Sequence, residues 1–138
     1  MTKLLVDTNV LIYALNRDSK FNAKSTEILE SNEYSLVITS KNISEFFAVC
    51  SKLKVETHFL FSFFDEIKSN AHIIYPNHES VKQFVSLMKK YSPIGNRVYD
   101  IEIISVMLAH NIDKIASFNI KDFKEVSEIK NVLEDVQF

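Results

Sequence analysis

The chain has 138 residues, with 16 basic and 18 acidic side chains and a net charge of −2. A hydrophobic content of 46% with 25% charged residues excludes intrinsic disorder, and we expect a single globular domain over residues 1–138. The single glycine excludes Gly-rich phosphate loops, and the single cysteine excludes an internal disulfide framework. Because no apolar stretch approaches the roughly 20 residues of a membrane span, we expect a cytoplasmic protein.

Apolar runs alternate with stretches of helical periodicity along the whole sequence. In chain order we predict a strand at Leu4–Val6, helices over Val10–Asn16 and Ala23–Glu30, a strand at Ser35–Thr39, a helix capped by Ser40 or Asn42 that runs to Lys54, a helix over His58–Lys68, a strand at His72–Tyr75, a helix around Val81–Met88, a helix over Arg97–His110, a strand at Lys114–Phe118 and a fifth strand within Val132–Phe138. This alternation predicts an α/β fold, with a central, mostly parallel sheet of four to five strands and helices on both faces.

Four carboxylates lie next to apolar runs, where an unpaired charge is expensive; they are Asp7, Glu45, Asp100 and Asp122. A buried carboxylate must be protonated, paired or bound to a metal ion. If the fold gathers these four, their mutual repulsion creates a site for a divalent cation.

Asp7 directly follows the first predicted strand, and ligands of open parallel sheets bind outside the carboxyl ends of the strands. An alternative is that Asp7, Thr8 or Asn9 only caps the next helix. Both interpretations stay open for Asp7.

Asp100 begins a helix on which Ile103, Ile104, Met107 and Leu108 share one apolar arc, with Asp100 near its middle. Glu102, Ser105 and Ala109 are predicted to lie on the opposite, solvent-facing side. Asp100 could serve only the helix dipole. Its inward direction favours a functional site, because an acid in the first turn can interact with the helix dipole without facing the core.

Helical periodicity turns Glu45 away from its helix's apolar face and favours an exposed side chain. Its position one turn after the second strand, on the crevice side, supports a role in the site. Asn119 and Asp122 follow the fourth strand, where a simple polar turn is the alternative. Asp113 precedes that strand and is therefore expected to be inert.

The remaining candidates are weaker. The four histidines lack metal-ligand spacing, and Cys50 lies on an apolar helix face, as a structural thiol does. Phe61 falls outside the apolar arc of its aromatic helix, which leaves room for a partner surface.

Four stretches, in this order and spacing, resemble the PIN-domain family, and within it the short VapC-type toxins of toxin–antitoxin pairs. They are Leu4–Asn9, Ile43–Phe46, Asp100 at the start of its apolar helix, and Ser117–Phe123. One departure is that Asp100 is followed by Ile101-Glu102-Ile103, where members commonly carry small and apolar residues.

This resemblance implies a PIN-like three-layer sandwich and a Mg²⁺- or Mn²⁺-dependent endoribonuclease. It also implies a cognate antitoxin and, usually, a homodimer. Asp7 and Asp100 would be the principal metal ligands, Glu45 and Asp122 would complete the cluster, and Thr8 and Asn119 would give polar support.

The residue chemistry is compatible with that implication, because four carboxylates without His or Cys suit Mg²⁺ better than zinc. Lys41, Arg97 and Lys121 flank the four acids in sequence and could hold phosphates of single-stranded RNA. One alternative is a catalytically weak PIN-like module that acts by binding a protein or RNA partner. A phosphotransferase with Asp7 as nucleophile is disfavoured, since Asn9 stands where a second aspartate is needed.

Overall fold

A computed structural model describes residues 1–137 of the chain. Within them the elements are β1 (Thr2–Val6), α1 (Thr8–Leu15), α2 (Asn22–Glu30), β2 (Tyr34–Thr39), α3 (Ser40–Lys52), α4 (Thr57–Asn70), β3 (Ala71–Ile74), α5 (His78–Tyr91), α6 (Arg97–Ala109), β4 (Lys114–Ala116), α7 (Ile120–Lys124) and β5 (Lys130–Asn131). None of these helices combines the length and the apolar composition that crossing a bilayer requires.

The strands form one sheet in the order β3-β2-β1-β4-β5, and every neighbouring pair is parallel. The predicted parallel α/β fold is therefore confirmed. From β1 the chain first builds β2 and β3 on one side of the sheet, and later adds β4 and β5 on the other side of β1. The carboxyl ends of β1 and β4 thus meet at a topological switch point, where open α/β sheets form their ligand crevice.

Side chains of the central strands alternate between two apolar cores, as the period of two in a strand requires. Leu4 and Val6 of β1 pack on one face with residues of α1, α2, α3 and α4. Leu5 packs on the other face with residues of α5, α6 and α7. The result is three layers, helix on sheet on helix, in which β1 is buried on both sides.

Several details of the predicted elements differ from the structure, and among them β4 ends at Ala116 rather than at Phe118. The fifth strand is Lys130–Asn131 rather than part of Val132–Phe138, because turns closed by hydrogen bonds from Glu134 N–H to Asn131 C=O and from Val136 N–H to Leu133 C=O follow it; Phe138 lies outside the described residues. Helix α3 is capped by Thr39, whereas Ser40 and Asn42 lie within its first turn. The short helix α7 was not predicted.

Candidate active site

Asp7 lies at the switch point, directly after β1. Its N–H donates to the carbonyl of Ala116 at 3.0 Å, which extends the pairing of β1 with β4 by one residue. Only 6% of Asp7 is exposed. Its carboxylate accepts hydrogen bonds from the Thr8 N–H at 2.9 Å and from the Ser117 hydroxyl at 2.7 Å. Asp7 therefore caps α1 and also faces the crevice, so the two interpretations of this residue are compatible.

Burial raises the pKa of the Asp7 carboxyl, and the hydrogen bonds from Ser117 and Thr8 oppose that rise. Desolvation has the larger effect, so the hydrogen bonds from the described residues do not fully stabilise the charged form of Asp7. A cation close to this buried carboxylate would stabilise its charged form.

Ser117 is the residue of this region that sequence reasoning missed. Its hydroxyl donates to Asp7 and accepts from the Asn119 N–H at 3.0 Å and from the Asn9 amide at 3.2 Å. The buried Asn131 of β5 fixes its backbone, because the Asn131 side chain accepts from the Ser117 N–H and donates to the Ser117 carbonyl. The predicted strand at Lys114–Phe118 contained Ser117, whereas the observed β4 ends at Ala116, so that Ser117 follows β4 as Asp7 follows β1.

A chain of hydrogen bonds connects the end of β2 with Glu45. The Thr39 hydroxyl donates to the Asn42 side-chain oxygen at 2.8 Å, and the Asn42 amide donates to the Thr8 hydroxyl at 3.0 Å. That hydroxyl donates in turn to Glu45 Oε2 at 3.0 Å. Thr8 is thus held as a donor toward Glu45.

Glu45 is half-buried, although helical periodicity favours an exposed side chain. Burial raises its pKa, the hydrogen bond from Thr8 lowers it, and the negative charge of Asp7 raises it further. Periodicity describes only the packing of a helix on the core. It could not foresee that a hydroxyl of another helix meets Glu45.

Asp100 lies in the first turn of α6 and is electrostatically coupled to the other three acids. Burial raises its pKa to about 7, with further contributions from the negative charges of Asp7, Asp122 and Glu45. The Arg97 guanidinium acts in the opposite direction. All four predicted carboxylates therefore share one electrostatic environment at the carboxyl edge of the sheet.

Helix α6 is more completely buried than its periodicity predicts. Ser105 was expected on a solvent-facing side but is 1% exposed, and its hydroxyl donates to the Ile101 carbonyl one turn earlier. Glu102, expected on the same side, is close enough to Glu45 to raise that residue's pKa. Glu102 therefore belongs to the edge of the acidic region.

Asp122 and Asn119 lie at the outer side of the region. Asp122 Oδ1 is 3.7 Å from Arg97 Nε, and a second nitrogen of the same guanidinium is 2.6 Å from Glu125 Oε2. Asn119 occupies the N-cap position of α7, where its side chain makes no capping hydrogen bond. Its side chain is therefore not committed to the helix end.

The donor chemistry of the site fits a hard divalent cation, since carboxylate, hydroxyl and amide oxygens predominate. Within residues 1–137, however, no three acidic, histidine or cysteine side chains are arranged so that they could hold a metal ion as they stand. Coordination at this site would require the carboxylates to move closer together.

The chain is thus a parallel α/β sandwich with acidic residues at its switch point, and comparison with known proteins identifies its family. The sequence matches the PIN domain over residues 4–129. This chain belongs to the PIN-domain family. No curated protein matches it significantly.

Solved structures of similar fold come from several bacteria. VapBC2 of Rickettsia felis, solved with a promoter DNA fragment, has a TM-score of 0.74 and 24% identity, with 94% of this chain and 98% of that chain covered. VapC20 of Mycobacterium tuberculosis, described as a toxin that cleaves the sarcin-ricin loop, has a TM-score of 0.71 and 10% identity, with 92% and 98% covered. VapBC-1 of nontypeable Haemophilus influenzae has a TM-score of 0.67 and 21% identity, with 94% and 96% covered.

Proposed function

We propose that this chain is a metal-dependent endoribonuclease that cleaves RNA phosphodiester bonds. The observation that carries the proposal is the placement of four acids, Asp7, Glu45, Asp100 and Asp122, in one electrostatic environment of a PIN-domain chain. A buried group of negative charges favours a hard cation such as Mg²⁺ or Mn²⁺. Asp7 and Asp100 would be the principal ligands of that cation, and Glu45 and Asp122 would complete the set.

A bound divalent ion supplies an activated water and stabilises charge that develops on phosphate oxygens. The protein's own groups prepare the site for it. Ser117 and the Thr8 N–H fix the orientation of the Asp7 carboxylate, and the Thr8 hydroxyl fixes Glu45. Asn119 adds polar support at the outer side, and Arg97 partly balances the charge of Asp122.

The test compares isosteric variants with a matched control. Asp7→Asn and Asp100→Asn should each lower Mn²⁺-dependent cleavage of a mixed RNA substrate by about 100-fold, while circular dichroism shows a folded protein. Asp113→Asn is the control, because Asp113 is exposed and precedes β4 at the opposite edge of the sheet. Cleavage that persists in EDTA, or in either site variant, would contradict the proposal.

The proposal extends to a role as the toxin of a toxin–antitoxin pair, acting in the cytoplasm, usually as a homodimer. Support comes from the similar folds of VapC20 and of the VapBC assemblies. A partner also has apolar surface available, because Phe59 and Phe61 of α4 are 47% and 52% exposed. Co-expression with the product of the neighbouring reading frame should relieve growth arrest, and sedimentation should report the dimer. Growth arrest that the neighbouring product does not relieve would contradict this role.

A second candidate is a catalytically weak module that acts by binding a protein or RNA partner. The exposed aromatic residues of α4 favour it, as does Ile101-Glu102-Ile103 after Asp100. A double Asp7→Asn, Asp100→Asn variant separates the candidates. Loss of growth inhibition supports the nuclease, and full inhibition by this variant supports the binding module.

A further inference from the structure

An exposed aromatic side chain stands immediately beside the acidic site. Tyr99 precedes Asp100 in the first turn of α6, and 49% of Tyr99 is exposed. It belongs to neither of the two apolar cores. Exposed aromatic rings next to a reactive site are typical stacking surfaces for unpaired bases.

A lysine of another helix lies over this ring. Lys41 Nζ is 4.4 Å from the centroid of the Tyr99 ring and 3.9 Å from Glu102 Oε2. Lys41 lies in the first turn of α3, one turn before Glu45. The pair therefore joins α3 and α6, the two helices that carry Glu45 and Asp100.

The charge of the site makes such a lysine important. The acids repel a phosphate backbone, and the net charge of −2 supplies no general attraction. Arg97 already pairs with Asp122 and Glu125. Lys41 makes no hydrogen bond to the buried Glu102 Oε2, which lies 3.9 Å from its ammonium group, and the lysine side chain is partly exposed. The ammonium group of Lys41 is therefore available to a phosphate.

We propose that Tyr99 and Lys41 form a subsite for one nucleotide of single-stranded RNA beside the cleavage site. The base stacks on the Tyr99 ring, and Lys41 binds the adjoining phosphate. This inference rests on the proposed RNA substrate. Both residues position the strand and take no part in the chemical step. Single strands bind better than duplexes, because paired bases do not offer a free face.

Binding is best measured in the Asp100→Asn background, which blocks cleavage under the proposed function and removes one repelling charge. The probe is a short fluorescein-labelled single-stranded RNA, followed by fluorescence anisotropy in Mg²⁺. Tyr99→Ala should weaken binding about tenfold, and Tyr99→Phe should restore most of the affinity. Lys41→Ala should reduce the slope of log affinity against log salt by about 0.7.

A matched control for Lys41 lies on α4, which packs on the opposite face of the sheet from α6. Lys68→Ala removes an exposed lysine there and should leave the anisotropy curve unchanged. RNA that carries 2-aminopurine should lose emission on binding to the protein with Tyr99 and keep it with Tyr99→Ala, a stacking signal that a structural role does not produce.

Unchanged affinity and 2-aminopurine emission in Tyr99→Ala would overturn the subsite. So would an affinity loss that accompanies a change of oligomeric state in sedimentation. Failure of the proposed nuclease function looks different. In that case the unmodified protein leaves RNA intact in Mn²⁺, although Tyr99→Ala and Lys41→Ala still weaken binding as described.

Discussion

Asp100 shows how strongly its neighbours set the chemistry of one carboxyl group. Burial and three nearby acids raise its pKa from 3.8 to about 7. Between these two pH values the folded state keeps a proton that the unfolded state has lost. The free energy of unfolding of the protein in EDTA should therefore fall as pH rises through this window.

Thermal melts in EDTA at pH 5 and pH 7.5 measure this effect, and the melting temperature should be lower at pH 7.5. Asp100→Asn should raise the melting temperature at pH 7.5 by a few degrees and reduce the pH dependence. Part of the dependence remains, because the pKa values of Asp7 and Glu45 are also raised. Asp113→Asn serves as the control, and an equal effect from it would rule out this account.

Two buried serines give a second comparison at the scale of the residue. Ser117→Ala removes the 2.7 Å hydrogen bond to Asp7, and we expect Mn²⁺-dependent activity to fall about tenfold or more. Ser25 is equally buried, but its hydroxyl has no hydrogen-bond partner in the described part of the chain. Ser25→Ala should leave activity unchanged and stability equal or higher. Equal activity in the two variants would exclude a role for the Ser117 hydroxyl.

Residue identity alone could not reveal the partners of these acids. Asp7, Glu45, Asp100 and Asp122 each lie next to an apolar run, and the family resemblance adds support for Glu45 and Asp122. Ser117 is 110 residues from Asp7, and an uncharged serine between Ala116 and Phe118 is not costly enough to bury to indicate a site. Hydrogen bonds between such distant positions depend on the order of the strands, which apolar patterning does not encode.

At the scale of the element, the start of α3 is both a helix cap and part of the site. Asn42 completes a capping box with Thr39 and also donates to Thr8. Asn42→Ala should lower the free energy of unfolding by about 1–2 kcal/mol and should also lower activity, since Glu45 loses its aligned partner.

Asn77→Ala is the matched control, because Asn77 forms a capping box with Ser80 at the start of α5. It should lower stability by about 1 kcal/mol and leave the activity of the folded protein unchanged. Urea denaturation and cleavage assays on the same samples separate the two effects. A loss of activity in proportion to stability in both variants would assign Asn42 to the cap alone.

The helical periodicity of α6 predicts the direction of one of its side chains and fails for another. It predicts the helix and turns Asp100 toward the protein, in agreement with the burial of Asp100. It fails for Ser105, which is 1% exposed, because the protein covers more of α6 than a one-sided apolar pattern describes. Ser105 tolerates burial because its hydroxyl finds the Ile101 carbonyl within its own helix.

At the scale of the whole molecule, the alternation of strands and helices was sufficient to predict a parallel α/β sheet. It could not specify that β1 lies between β2 and β4, since any parallel order satisfies the same pattern. It also misplaced the fifth strand, where the buried Asn131 and its hydrogen bonds to Ser117 hold a two-residue strand in register.

A divalent ion should stabilise the entire domain, because it would relieve repulsion between acids carried by different elements. Millimolar Mg²⁺ or Mn²⁺ should raise the melting temperature near pH 7.5, and the increase should grow with ion concentration. Asp7→Asn should reduce the increase. A melting temperature that does not respond to either ion would argue against a shared cation at these carboxylates.

Because β1 is central in the sheet, the acidic site cannot form until strands on both sides of β1 have been synthesised. Asp7 is translated before β4, the strand that borders it, which follows more than a hundred residues later. Any nascent or prematurely terminated chain that lacks β4 leaves Asp7 without Ser117 and with one side of its strand unpaired. Under the proposed function, cleavage would therefore begin only after β4 has left the ribosome, which spares the messenger that encodes it while the preceding elements are translated.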